Sequence, residues 1–155
     1  MIDFMKRNLL KVIGLGAVSA CAVAEPKGRS VTTFTFTFNY TGRYIGDVVV
    51  DGAWTGGADA YGMGGGAQGL LAPSDPNRIA VLKVKWAVGS YYSIAEDSYT
   101  RTPIEEKSAN VEVARPHPPN PSYLVLHFYP DGRVEAELEA DRPKRRIPPP
   151  PGYHR

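Results

Sequence analysis

Three glycines in the stretch VVVDGAWTGGADAYGMGGGAQG have the spacing of a phosphate-binding loop. Gly64, Gly66 and Gly69 match the G-x-G-x-x-G pattern of dinucleotide-binding folds, where the loop opens a helix whose N-terminus holds the pyrophosphate. Here Pro73 and Pro76 follow almost at once, which is incompatible with a helix at that place. A Walker loop also fails, because no Gly-Lys-Ser or Gly-Lys-Thr occurs in the sequence. We therefore do not expect phosphate binding.

The ionisable side chains show no spacing typical of a catalytic or metal site. His117, His127 and His154 are not paired at a metal-ligand spacing, and a single cysteine adds no second thiolate. Asp47 and Asp51 flank a short apolar run at even spacing, which suits acid–base chemistry as well as solvated strand ends. No G-x-S-x-G pattern surrounds a serine. We predict that the protein is not an enzyme and holds no metal or cofactor.

The glycine-rich segment 52–69 predicts a long loop between two strands. Its large side chains are Trp54, Tyr61 and Met63. Long loops in compact domains are usually functional or disordered, and exposed aromatic side chains are the common anchors of protein interfaces. We predict that these three side chains contact a protein partner.

Three glutamates alternate along the last predicted strand and give a second candidate contact surface. Glu135, Glu137 and Glu139 share one face, opposite the apolar side chains between them. Such an acidic ribbon is either the solvated side of a sheet or a contact for a basic partner. On the preceding strand, His127 lies on the face opposite Leu126 and Phe128, and the pattern predicts a surface position for it.

The N-terminal residues predict export. Lys6 and Arg7 precede an apolar segment from Leu9 to Val18, which is shorter than the roughly 18 residues that a bilayer span needs. The following VSAC, ending at Cys21, resembles the lipobox of bacterial lipoproteins, whereas the alternative is ordinary cleavage after Ala22-Val23-Ala24. We predict a signal peptide over 1–20, acylation of Cys21 and a flexible tether over 21–30.

An acylated Cys21 predicts a location at the outer membrane. Several acyl chains, each methylene adding about 0.8 kcal/mol, give a permanent anchor. Ala22 occupies the position where an aspartate retains many lipoproteins at the inner membrane, so we expect the domain to face the periplasm from the outer membrane. Without residues 1–20 the formal net charge falls from +2 to 0, with an acidic body and a basic end. This balance argues against nucleic-acid binding.

The elements that would position these residues are short strands. VTTFTFTFNY alternates strictly, and we expect Phe34, Phe36, Phe38 and Tyr40 to face the core while the threonines face solvent or a partner. Further strands are predicted at 47–51, 79–88, 111–114, 122–129 and 133–139, the last two joined by a Pro-Asp-Gly turn. The fold class is therefore mainly β, an antiparallel β-sandwich or barrel-like sheet over 31–141.

The C-terminal residues 142–155, RPKRRIPPPPGYHR, have no apolar period. Their composition predicts a basic, proline-rich tail that is disordered or in the polyproline conformation.

Several segments together resemble a family of small bacterial lipoproteins that carries a domain of unknown function. They are VSAC, TGRYIGDVVVDG, GMGGG, LLAP, LKVKW and LVLHFYPDGRVEAE, and the last five span most of residues 39–139. That family has cysteines just after the glycine run, where this chain has Leu70 and Leu71, so any role of those thiols is absent here.

The resemblance, and not the composition, implies a function. Members of that family are often found beside phospholipase effectors of the type VI secretion system, which implies an immunity protein that binds and inhibits such a lipase in the periplasm. The alternative is a structural or assembly lipoprotein of the cell envelope, whose basic tail would meet anionic lipid or another chain. An inhibitor would become essential only in the presence of its toxin, whereas an assembly factor would give an envelope defect by itself.

Overall fold

A computed structural model describes residues 33–69 and 75–155. The signal peptide predicted over 1–20, the tether over 21–30 and the acylation site Cys21 lie outside the described residues, as do Leu70 and Leu71.

The described residues form nine strands. In chain order these are β1 (Thr33–Asn39), β2 (Arg43–Val50), β3 (Ala53–Ala58), β4 (Met63–Gln68), β5 (Val81–Ser93), β6 (Ser98–Thr100), β7 (Glu105–Glu112), β8 (Tyr123–Phe128) and β9 (Val134–Glu139). A helix long and apolar enough for a bilayer span was not found in this part of the chain.

The strands form two sheets that curl toward each other. The four-stranded sheet has the order β4-β1-β8-β9, and the five-stranded sheet has the order β3-β2-β5-β6, with β7 also paired to β5. The two sheets approach each other where the Ala114 N–H donates to the carbonyl oxygen of Ala136 at 2.8 Å, beside a bridge between Val113 and Ala136. This confirms a mainly β, barrel-like sandwich, except that β1 and β8 run parallel.

The main core lies between the two sheets. It is built from alternate positions of the central strands, and Trp86 packs edge-on against Phe128 with ring centroids 5.3 Å apart. Its buried members are Ile45, Val48, Val50, Val84, Trp86, Val88, Val111, Val113, Leu124, Leu126, Phe128 and Ala136. The apolar alternation of β5 and β8 therefore fixes which faces of these strands are inside.

The predicted core face of β1 is wrong. Thr35 and Thr37 are 2% and 0% exposed and, by the register with β8, share the inner face with Leu124 and Leu126. Phe34, on the outer face, is 53% exposed. Alternation shows that a strand has two different faces, but it does not show which of them points inward. In β1 the face with the threonines is the inner one, because other strands lie close to it.

A second, smaller cluster covers the other end of the outer face. It contains Phe38, Tyr40, Val125 and Tyr129, all of them buried. Among the described residues, the aromatic face of β1 is therefore buried toward Asn39 and exposed at Phe34, toward Thr33.

The predicted loop over 52–69 is instead two strands, β3 and β4, that belong to different sheets and pass very close together. A Cβ at Gly64 would lie 1.7 Å from the carbonyl oxygen of Gly57, and one at Gly65 would lie 1.9 Å from that of Thr35. Gly65 also has a positive φ of 139°. Glycine disfavours strands in general, but here its missing side chain permits the backbone contact that joins the two sheets.

Candidate functional site

A groove crosses the outer face of the five-stranded sheet. It has a volume of about 530 Å³ and is lined on that face by Asp47, Val49, Lys85, Ala87, Glu106 and Ser108. The pairing of β2 shifts register between Gly46 and Val49, and Asp47 has a positive φ of 47°. Such a bulge bends a strand and increases its twist, which curves the sheet at this place.

Trp54 lies next to Val49, one of the residues that line this outer groove. The strand registers place it opposite Val49 on β2, Val49 opposite Lys85 on β5, and Lys85 opposite Ser108 on β7. Because cross-strand partners project to the same side of a sheet, these four side chains form a row across four strands, the Trp54 row. Trp54 is 60% exposed, the largest side chain of the row.

The other two side chains predicted to contact a partner, Tyr61 and Met63, lie away from this row. Tyr61 is half-buried, and its ring packs edge-on against Tyr153 with centroids 5.7 Å apart. Met63 is 48% exposed but lies at the far end of the β3–β4 pair, because Gly64 meets Ala58 whereas Gly66 approaches Thr55, next to Trp54. The structure therefore does not bring Tyr61 and Met63 to the Trp54 row.

The glutamates of β9 do not form an open ribbon. Arg146 of the C-terminal segment binds two of them, with Nη1 2.5 Å from Oε2 of Glu135 and Nη2 2.6 Å from Oε2 of Glu137. The third, Glu139, is half-buried, and burial together with the charge of Glu137 raises its pKa. Within the described chain the acidic surface is thus matched largely by the protein's own arginine.

His127 is buried beneath these glutamates, so its predicted surface position is wrong. Its Nδ1 accepts a hydrogen bond from the Tyr40 hydroxyl at 2.8 Å, and its Nε2–H donates to Oε1 of Glu137 at 2.7 Å. This assignment follows from the neighbours, since a carboxylate can only accept. The face that carries His127 is covered because Arg146 lies over it, binding both Glu137 and the hydroxyl of Tyr129.

The C-terminal segment is docked, which corrects the prediction of a disordered tail. The Arg146 N–H donates to the Tyr40 hydroxyl at 3.1 Å. Further along, Tyr153 packs edge-on against Tyr61 and Tyr92, both with centroids 5.7 Å apart, and Arg155 pairs with Asp97 at 3.2 Å. Periodicity did not show this, because the docking uses charge and single aromatic side chains rather than an apolar stripe.

Truncation after Asp141 is expected to destabilise the domain by about 2–3 kcal/mol. Two edge-on ring contacts of Tyr153 contribute about 0.5–1.5 kcal/mol each. Hydrogen bonds of charged groups contribute about 1.5–3 kcal/mol when they are buried. The contribution of Arg146 is smaller than this, because its side chain is 39% exposed and water screens its charge. Urea unfolding of the full chain and the truncated chain measures the difference. An unchanged midpoint would mean that the segment is free in solution.

The stability of the domain is expected to fall as the pH drops below about 6.5. Burial lowers the pKa of His127, although its hydrogen bond to Glu137 opposes that effect. The unfolded chain therefore binds more protons than the folded one between the lowered pKa and about 6.5, and protonation favours unfolding in that window. Thermal melts from pH 8 to pH 5 measure the slope. A His127→Gln variant should have a flatter profile, and an equal slope would contradict the assignment.

Glu137 adds a second pH range, at lower pH, in which the stability of the domain falls. Burial alone would raise its pKa, but hydrogen bonds from His127 and Arg146 outweigh that effect and hold the pKa below its ordinary value of 4.5. Its contribution to stability is therefore lost only as the pH falls below that value.

The described residues contain no group of three or more His, Cys, Asp or Glu side chains placed to hold a metal ion. The network of Tyr40, His127 and Glu137 lies inside the protein and fixes the C-terminal segment. The outer groove, by contrast, presents both signs of charge to another molecule, and the exposed side chain of Trp54 lies beside it.

Residues 38–136 match the family described as a protein of unknown function, DUF3304. The chain belongs to this family. The resemblance seen in the sequence is thereby confirmed at the level of a family of unknown function. Comparisons with curated proteins and with solved structures find no match.

The DUF3304 match covers the whole Trp54 row and the glycine crossing of β3 and β4. It ends before Glu137 and Arg146 and begins after Phe34. The sequence had singled out Asp47, which lines the outer groove, as one of two evenly spaced carboxylates, and Trp54, which lies beside the groove, as a partner contact. The outward alternation of Lys83 and Lys85 against Val84 and Trp86 was visible, but nothing local indicated that the surface between them is concave.

Proposed function

We propose that the protein is a periplasm-facing outer-membrane lipoprotein that binds a protein partner through the outer groove. The observation that supports binding is the Trp54 side chain, 60% exposed beside a groove of about 530 Å³. Tryptophan is among the residues most often found at the energetic centre of interfaces, where its large rigid ring is desolvated by the partner.

The groove also restricts the chemistry of that partner. Lys85 lies beside Asp47 and Glu106 on the groove wall, so both signs of charge are present. The partner that fits this groove is a folded protein. Its surface carries both signs of charge and has an apolar depression that receives the indole ring of Trp54.

We further propose that the partner is a lipase effector of the type VI secretion system, which the lipoprotein inhibits. This part rests on the resemblance of VSAC, TGRYIGDVVVDG and the other segments to lipoproteins found beside such effectors. Tethering through Cys21 suits the role, because confinement to the membrane raises the effective concentration of an inhibitor where a phospholipase attacks.

The alternative of an envelope assembly factor has lost part of its support. It depended on a free basic tail, whereas Arg146 and Arg155 make ion pairs with Glu135, Glu137 and Asp97 of the same chain.

The experiment that tests the function is protection of cells. The proposal requires a lipase effector gene beside this one. Its product is directed to the periplasm, with and without the full-length lipoprotein, and survival and membrane phospholipids are measured. We expect the lipoprotein to restore growth and preserve phospholipids, and to co-purify with the lipase. Loss of viability with the lipoprotein present, together with no co-purification, would contradict the inhibitor role. An envelope defect without any lipase would favour the assembly role.

Replacement of the acylation site should separate anchoring from binding. In the Cys21→Ser variant we expect the protein to move from the outer-membrane fraction to the soluble periplasm, because no other residue supplies a thiol for acylation. Fractionation with labelled palmitate measures this. If the variant stays in the membrane fraction, Cys21 is not the anchor.

A further inference from the structure

We propose that the Phe34 end of the domain rests on the phospholipid surface, through an aromatic patch of Phe34, Phe36 and Tyr123. This inference rests on the proposed lipid anchor at Cys21, but not on the identity of the protein partner. The contact concerns the outer face of the four-stranded sheet, whereas the Trp54 row belongs to the other sheet.

The patch is a continuous aromatic surface. The register places Phe34 opposite Tyr123, with ring centroids 6.4 Å apart, and Phe36 packs edge-on against Tyr123 at 5.5 Å. Phe34 is 53% exposed, and the other two rings are half-buried.

The same face is covered at its other end by the protein itself. There Tyr40 is 4% exposed, the guanidinium of Arg145 lies 5.5 Å from the centre of its ring, and the Arg146 N–H donates to its hydroxyl. Among the described residues, the C-terminal segment closes this row of aromatic side chains toward Asn39, whereas Phe34, toward Thr33, is exposed and open to a different covering surface.

The position of the chain indicates which surface that is. Thr33 begins β1, and Cys21 lies twelve residues earlier in the sequence. Even fully extended, twelve residues span at most about 43 Å, so an anchor at Cys21 keeps this end of the domain within that distance of the bilayer. Phe34 is the first aromatic residue after this link. Aromatic side chains with one polar edge, such as tyrosine, are favoured at the membrane–water interface.

The charges around the patch permit the contact. Glu139 is paired with Tyr123 in the β8–β9 register, and the exposed residues Asp141, Arg142 and Lys144 follow within a few positions. The two cations have no ion-pair partner within the described residues and balance the two carboxylates. Anionic headgroups are therefore not repelled, and basic side chains near such a surface are attracted to it.

The test uses the full-length acylated protein in vesicles of phosphatidylethanolamine and phosphatidylglycerol. Acylation consumes the thiol of Cys21, so a Phe34→Cys variant carries one reactive thiol for an environment-sensitive fluorophore such as NBD. The matched control is Ile104→Cys, because Ile104 is 73% exposed and lies just before β7, beside the Arg43–Glu105 ion pair at the opposite end. We expect blue-shifted emission and quenching by lipids with a doxyl group near the headgroup for the label at position 34. We expect neither for the label at position 104.

The alternative outcomes separate the two proposals. If the protein floats with the vesicles but the label at position 34 is not quenched, or both labels are quenched equally, this orientation is wrong and the anchor stands. Failure to float with the vesicles would overturn both the anchor and the orientation. Shielding of the position-34 label by the purified lipase, with no effect of lipid, would make the patch a protein contact and overturn the inference.

Discussion

Gly64→Ala is expected to prevent stable folding, whereas Gly66→Ala, on the same strand, is expected to be tolerated. The Cβ of an alanine at position 64 would lie 1.7 Å from the carbonyl oxygen of Gly57. The Cα atom that would carry this Cβ and the carbonyl of Gly57 belong to the backbones of strands that are paired on their other sides, so neither can move without loss of pairing. At position 66 the nearest atom, the carbonyl oxygen of Thr55, is 3.4 Å away, which is ordinary contact.

The expected cost at Gly64 is more than about 4 kcal/mol, in the range of the most damaging single substitutions and comparable to the whole stability of a small domain. For Gly66→Ala we expect less than about 1 kcal/mol. Urea unfolding of both variants, with soluble yield as a first readout, measures the difference. Equal stability of the two variants would show that β3 and β4 do not cross as described.

Much of the fold was predictable because alternation and turn chemistry act locally. Strand β5 was predicted from its two different faces, with Lys83 and Lys85 outside and Trp86 inside. The β8–β9 hairpin was predicted from its Pro-Asp-Gly turn. Strand β7 was mostly missed, since its first residues, Glu105 to Ser108, are polar on both faces. It lies at an exposed edge of the sheet, where charged side chains are tolerated on either face.

Non-local contacts account for the other differences. The inward face of β1 is decided by its pairing with β8 and by the glycine strands beside it, which are distant in sequence. The burial of His127 depends on Arg146, which lies 19 positions later and belongs to a segment without periodicity. Trp54 was identified as an exposed aromatic side chain and is one, but its partner-binding role stays a prediction.

Trp54→Ala is expected to weaken the complex with the lipase about 100-fold, which corresponds to about 2.7 kcal/mol. Truncation removes the largest exposed ring of the Trp54 row and leaves its pocket on the partner empty. The fold should be unaffected, because the ring is 60% exposed and lies outside both core clusters. Phe34→Ala is the matched control, since Phe34 is 53% exposed on the outer face of the other sheet.

The most direct test of binding through the outer groove is the affinity of the full-length lipoprotein in detergent for the purified lipase. Titration calorimetry measures it beside the Trp54→Ala and Phe34→Ala variants. We expect a stoichiometric complex that is weakened about 100-fold by Trp54→Ala and hardly changed by Phe34→Ala. Equal affinity of all three proteins would show that the outer groove is not the binding surface, and no complex at all would contradict the inhibitor role.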